Sequence, residues 1–429
     1  MRELAADALD LSTWVRPGDT LMWGQGNAEP LALTRALVAQ RHAIGPVRAF
    51  VGASWFDTVD PAHADAIRFA SYCGAARNRA LARADRLELF GSHYSMLARG
   101  LRSGAMRVDV LLLQLAPADA HGRYSLGVAH EYLVPALEHA RVVLAEVNDR
   151  VPWTHGSTTL GDDDLDAILR TSRPLDEPPA TRESDADTAV ARRVAALIDD
   201  GATLQTGLGV LPVLVLRELA SRRDLGIHSG QIGDGVVDLA ERGALTNARK
   251  SVDRGITITG NMFGGARLHR FVDRNPDVQF RSTEYTHDPA VLASHERLVA
   301  VNSAVEVDLT GQVNAEVANG VYVGAIGGLV DFLRGAARSR GGLPIVALAA
   351  RAGAASRIVA TLSGPVTVPR SDVGLVVTEH GVADLRGVPL AERAERMIAI
   401  ADPDARAGLA DALRGPVRPD TDTPARGTR

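Results

Sequence analysis

Two glycine-bearing phrases mark where this chain could do chemistry. Thr20-Leu21-Met22-Trp23-Gly24-Gln25-Gly26 returns 183 positions later as Thr203-Leu204-Gln205-Thr206-Gly207-Leu208-Gly209. Each phrase is followed by a proline, Pro30 or Pro212, and then by an amphipathic run. Leu33, Ala36 and Leu37 in one run, and Leu211, Val215 and Leu219 in the other, fall at helical spacing. A buried strand that turns through glycines into a helix leaves the first helical N–H groups without intrahelical partners. Such donors suit an oxyanion or a phosphate. Their recurrence predicts an internal duplication of an α/β unit.

Other chemistries fail on residue type. A dinucleotide fingerprint needs a third glycine three positions after the second, and Glu29 and Pro212 stand there. No NAD- or FAD-type cofactor is therefore expected. A Walker loop needs Gly-Lys-Ser/Thr, but Lys250 is the only lysine and lies far from either turn. No Gly-x-Ser-x-Gly elbow occurs, and His130-Glu131 has Val134 where a zinc-binding helix needs its second histidine. No metal is expected.

The elements that must position the turns read as an α/β protein. Val110–Leu113, Val142–Leu144, Ile345–Leu348 and Leu375–Val377 are continuous apolar runs, as in parallel strands buried on both faces. A polar, proline-bearing stretch between Thr171 and Ala189 marks the best boundary. It divides the chain into domains 1–184 and 185–414, followed by a polar tail, 415–429, expected to be disordered. Leu111–Gly127 and Val299–Gly320 form a second, thinner pair of matching segments. The 429 residues, 46% apolar, suffice for two cores, and the net charge of −5 argues against a nucleic-acid partner. No apolar stretch is long enough for a bilayer, and Met1–Asp19 lacks a signal-peptide layout. The lone Cys73 fits a reducing cytoplasm.

Denser phrases resemble a known family. They include Gly207–Pro212, Leu225-Gly226-Ile227-His228-Ser229, Asp234–Leu239, Asn302–Val313, Gly327–Ala336, Ser356–Val359 and Val376–Gly387. In the first half the match is looser, at Gly24–Pro30 and His121–Gly127. Together they resemble the acetyl-CoA hydrolase/transferase family, 4-hydroxybutyrate CoA-transferases among it. The resemblance implies two similar α/β domains with the active site between them, acyl-CoA and a carboxylate acceptor as substrates, and a homo-oligomer. Coenzyme A, as a thioester, would contact Gly207, Leu208, Gly209, Val210 and Leu211. Val305, Gly324 and Gly328 match further positions lining that site. Gln25 and Glu29 are placed to line its acyl side. In such families a glutamate attacks the thioester and becomes a glutamyl-CoA. Each well-placed N–H donor at the oxyanion is worth roughly 3–4 kcal/mol.

The attacking glutamate should follow the His228-Ser229 pair, but Gly230 stands there. Three explanations compete. Water fills the vacated space and hydrolyses the thioester. Alternatively, another carboxylate reaches in, with Glu284 the first candidate, His287 as general base and His228 pointing into the same cleft. Finally, the protein binds CoA thioesters without turning them over. From sequence alone, Gly230→Glu is expected to create or raise CoA exchange.

Overall fold

The continuous apolar runs become parallel strands covered on both faces. In the computed structural model, which describes residues 1–178, 182–207 and 209–414, two sheets dominate. Leu208 and the 415–429 tail, expected to be disordered, lie outside the described residues. The first sheet contains β1 (Arg2–Leu4), β2 (Thr20–Trp23), β3 (Val47–Phe50), β4 (Ile67–Ser71), β5 (Leu87–Leu89), β6 (Val110–Leu115), β7 (Val142–Asn148) and β8 (Ala167–Thr171). Its order is β1-β8-β7-β6-β2-β3-β4-β5, parallel throughout.

The second sheet contains β9 (Thr203–Thr206), β10 (Gly226–Ile227), β11 (Leu298–Asn302), β12 (Leu343–Ala347), β13 (Leu375–Thr378) and β14 (Gly381–Asp384). Its order is β10-β9-β11-β12-β13-β14, with only the last pairing antiparallel. The sequence β3-β2-β6-β7-β8 in one sheet is thus repeated as β10-β9-β11-β12-β13 in the other. Both glycine phrases supply the equivalent strands β2 and β9. The thin Leu111/Val299 match falls on β6 and β11, which occupy the equivalent next place.

Strand alternation sorts the side chains into three layers. Leu21, Trp23 and Leu112 pack outward with Leu33 and Leu37 of α1 (Leu31–Ile44). Gly45, at φ +92°, ends that helix, and its N–H returns to Arg41 O. Met22, Leu111 and Leu113 point the other way, into a core shared with Leu204, Val215 and Ile227 of the second half. Ala300, Val346 and Val376 face the third layer. Burying one such leucine or valine contributes about 1.5–3 kcal/mol, so the shared middle layer fixes the two halves against each other.

Three further helices bear on the site: α2 (Asp185–Ala196), α3 (Val210–Glu218) and α4 (Leu329–Arg338). A capping box starts α2, because Ser184 Oγ accepts from Asp187 N while Asp187 Oδ2 accepts from Ser184 N. Lys250, the only lysine, is buried and donates to Ile227 O at 2.9 Å and Ile256 O at 2.6 Å. It ties down β10, the strand that leads into Gly230. No helix among the described residues is long and apolar enough to cross a membrane.

Candidate active site

Open parallel sheets bind ligands beyond the carboxyl ends of their strands. Here the two sheets present those ends to one cavity of about 320 Å³. The first half contributes Gln25 beyond β2, Ala53 beyond β3, and Tyr72 and Cys73 beyond β4. The second contributes Thr206 and Gly207 at the end of β9, and Asn302 and Ser303 at the end of β11. Backbone bonds stitch the rim across the halves: Gly74 N to Gly324 O at 2.8 Å, Tyr94 N to Gly327 O at 2.9 Å, and His130 N to Gly260 O at 2.9 Å.

The reason for glycine at 324 is backbone approach. A Cβ there would lie 1.9 Å from the carbonyl oxygen of Ala315, which no rotamer change relieves. Gly324→Ala is therefore expected to cost about 1–3 kcal/mol through overpacking. Urea denaturation should show the lower midpoint; an unchanged midpoint would mean that the loop moves aside freely.

The structure brings Gly207, Gly230, Gly324, Gly328 and His287 together around this cavity. Gly209, at φ +111°, caps α3, and Val210 and Leu211 form its first turn, with Leu211 in the shared core. Among the described residues, these three do not line the cavity, and neither does Val305, whose N–H pairs with Asn314 O. His228 sits behind the wall, fully buried, with Nε2 3.2 Å from Thr286 O and Nδ1 3.1 Å from His295 Nε2. Burial holds its pKa well below the ordinary histidine value. Glu284 is held outside the cavity by Arg102, whose Nε donates to it at 2.7 Å and keeps its pKa low. It does not reach Gly230.

The first glycine turn departs from the expected geometry. A 3-10 turn at Gly26–Ala28 intervenes before α1, and Gly26, Ala28 and Glu29 donate their N–H groups to Ala53 O, Gln25 O and Gly26 O. Those donors are consumed by the backbone. Gly26 is glycine because a Cβ would sit 2.7 Å from Phe263. Of the two residues expected to line the acyl side, Gln25 enters the cavity, whereas Glu29 is buried behind it with Ser54 and Thr58.

Nor is there open space beside Gly230. A Cβ built there would lie 2.7 Å from Cε1 and 3.0 Å from Nε2 of His287. A Cβ at Gly328 would meet the same Nε2 at 2.5 Å. The imidazole is thus sandwiched between two glycines, with Tyr94 and Phe332 ring centroids 5.1 and 4.7 Å away. The ring fills the position that a Cβ at 230 would take, while Gly230 itself faces the cavity. Thr286 Oγ1 donates to Ser282 O and lies 2.8 Å from His287 Nδ1. The contact to Nδ1 fixes the orientation of the ring. Burial pushes its pKa down to about 3, so it stays neutral and is a weak base near neutral pH.

The cavity holds a carboxylate that sequence reasoning passed over as part of a failed zinc motif. Glu131 lines the wall and is buried. Gln25 Nε2 donates to its Oε1 at 2.9 Å and to its Oε2 at 2.8 Å. The Tyr94 hydroxyl and Asn261 Nδ2 also donate to Oε2, each at 2.5 Å. Tyr72 and the Ala53 N–H both donate to Gln25 Oε1, which fixes the amide's orientation. Desolvation outweighs these donors and raises the Glu131 pKa to about 7. The available signal was an acid in the run His130-Glu131-Tyr132-Leu133, with no lysine or arginine between 124 and 140 to pair it.

Comparison with known proteins agrees with this architecture. Residues 4–169 match the acetyl-CoA hydrolase/transferase N-terminal domain, and residues 264–413 match the C-terminal domain. The chain is 40% identical over 306 residues to 4-hydroxybutyrate coenzyme A transferase of Clostridium kluyveri, covering 70% of this chain and 71% of that protein. It is 31% identical over 424 residues to succinyl-CoA:cyclohexane-1-carboxylate CoA transferase of Geobacter metallireducens, covering 96% and 95% respectively. The crystal structure of RipA from Yersinia pestis superposes with a TM-score of 0.91 at 32% identity, over 96% of this chain and 97% of that one. With both domains matched and the same strand order repeated in the two halves, the chain belongs to the acetyl-CoA hydrolase/transferase family.

Proposed function

We propose that this chain is a CoA-transferase that moves CoA from an acyl-CoA to a free carboxylate, in the cavity between its two halves and without a glutamate at position 230. One observation carries the reading: a single walled cavity, formed where both sheets present their strand ends, contains a buried carboxylate and neutral hydrogen-bonding side chains. Cavities of this size and lining suit a small acyl group whose polar atoms need a few fixed partners. The thioester end of CoA would enter past Gly207 and Gly328, with its carbonyl near Gly230. The two long relatives named above are both CoA transferases by name, which supports transfer over hydrolysis.

The test uses the whole chain with acetyl-, butyryl- and succinyl-CoA, with and without acetate or butyrate, following free thiol and acyl exchange. Exchange that requires the carboxylate acceptor is expected. Thiol release without acceptor would favour a hydrolase. Binding of CoA esters with neither outcome would favour a non-catalytic CoA-binding protein.

A further inference from the structure

We propose that Glu131, carried by the first half of the chain, is the carboxylate that attacks the thioester, an assignment that rests on the acyl-CoA reading above. Among the described residues it is the only acid lining the cavity. It lines the same cavity as Gly230. Gly260 separates the two: its N–H and that of Asn261 donate to Gly230 O at 3.1 and 3.2 Å, and its own carbonyl accepts from His130 N. A Cβ on Gly260 would lie 2.9 Å from Gly230 O and 3.7 Å from Glu131 Cβ. An acid from the opposite half thus reaches the same region of the cavity.

The hydrogen bonds divide the labour between the two carboxylate oxygens. Oε2 accepts from Gln25, Tyr94 and Asn261, whereas Oε1 accepts from Gln25 alone. Oε1 therefore keeps lone-pair density for attack, and Oε2 is the oxygen held by donors. Glu131 also adopts φ +21°, on the side of the backbone map where residues with side chains are uncommon. Such conformations persist where surrounding structure enforces them, and they concentrate at reacting groups.

The steps balance without any oxidant or net proton. Glu131 Oε1 attacks the acyl carbon, the C–S bond breaks, and sulfur leaves with the electron pair as CoA thiolate. The thiolate then attacks Glu131 Cδ, and the first acid departs as a carboxylate, leaving a glutamyl thioester. The acceptor carboxylate attacks Cδ and expels the thiolate again. Finally the thiolate attacks the new acyl carbon, forming the product thioester and freeing Glu131. In both steps at Cδ the negative charge develops on Oε2. The three donors already aimed at Oε2 form the oxyanion hole for those steps.

The experiment incubates the wild-type protein with each acyl-CoA in the absence of acceptor, reduces it with borohydride and maps the peptides. A glutamyl thioester at 131 is reduced to an alcohol, so the Glu131 peptide is expected to exchange one oxygen for two hydrogens. Glu131→Gln is expected to lose about 10³-fold or more in exchange while still binding CoA. Glu131→Asp, which withdraws the carboxylate by one methylene, checks folding and should trap little thioester. An active wild-type protein that traps nothing, or traps another residue, overturns the assignment, as does Glu131→Gln retaining exchange. Those results leave the acyl-CoA reading intact. A wild-type protein that neither binds nor turns over any of the thioesters overturns that reading and this assignment together.

Discussion

Gly230→Glu alone is expected to lower stability by about 1–3 kcal/mol and to leave CoA exchange no higher than in the parent protein. The expectation from sequence was the reverse, and the difference lies in His287. Any side chain at 230 begins 2.7 Å from the imidazole Cε1 and 3.6 Å from Phe332 Cε2. The ring is held in place, because Thr286 contacts Nδ1, aromatic rings flank it, and Gly328 lies against Nε2. A glutamate there would also bring a second carboxylate into the cavity that holds Glu131. Two like charges in one site raise at least one pKa further, which leaves the new acid less ionised. Relief requires removing the ring, so Gly230→Glu/His287→Ala should recover stability relative to Gly230→Glu. In that background a glutamate at 230 gains the space that the ring occupied. Urea denaturation and the exchange assay decide it. A single Gly230→Glu variant with parental stability and raised exchange would show that the imidazole yields.

Much of the fold was legible because its signals are local. Val110–Leu113 and Leu375–Val377 are apolar at every position, which only a strand covered on both faces accommodates, and both lie inside parallel sheets. The repeated glycine phrase pointed to a repeated unit because each copy sits on the same strand of the same topology. The site was less legible because its residues meet only through tertiary packing. Nothing near Gly230 in the chain shows that His287 fills its side-chain space. Nothing near Gly26 shows that Ala53 O captures its N–H. Glu284 looked available by type, but Arg102, far away in sequence, holds it at the surface. Glu131 was the converse: an unremarked acid whose chemistry comes from burial and from donors on Gln25, Tyr94 and Asn261.

Glu131→Gln is expected to alter how stability depends on pH. In the unfolded chain the carboxyl titrates near 4.5, whereas burial raises the folded value to about 7. Between those values the folded protein keeps a proton that the unfolded chain releases. The contribution of this group to stability therefore falls as pH rises across that window. At 1.36 kcal/mol per pKa unit, the loss approaches at most about 3 kcal/mol by pH 8. Glutamine does not titrate, so the variant lacks this term. Whatever its constant cost from turning an amide toward Gln25, its stability relative to wild type should improve between pH 5 and pH 8. The nearby tyrosines Tyr72 and Tyr94 have pKa values raised well above ordinary and stay protonated throughout. His287, held at about 3 by burial, takes up no proton in the fold where the unfolded chain does below about pH 6.5; its term rises with pH in both proteins alike and cancels in the comparison. Urea denaturation at both pH values measures the effect, and parallel stability profiles for the two proteins would show that Glu131 is not held protonated by burial. Under the proposed attack, only the ionised form reacts, so wild-type exchange should rise with an apparent pKa near 7. Gain of activity and loss of stability then follow one ionisation, as expected where a fold retains a destabilising charge because the reaction needs it.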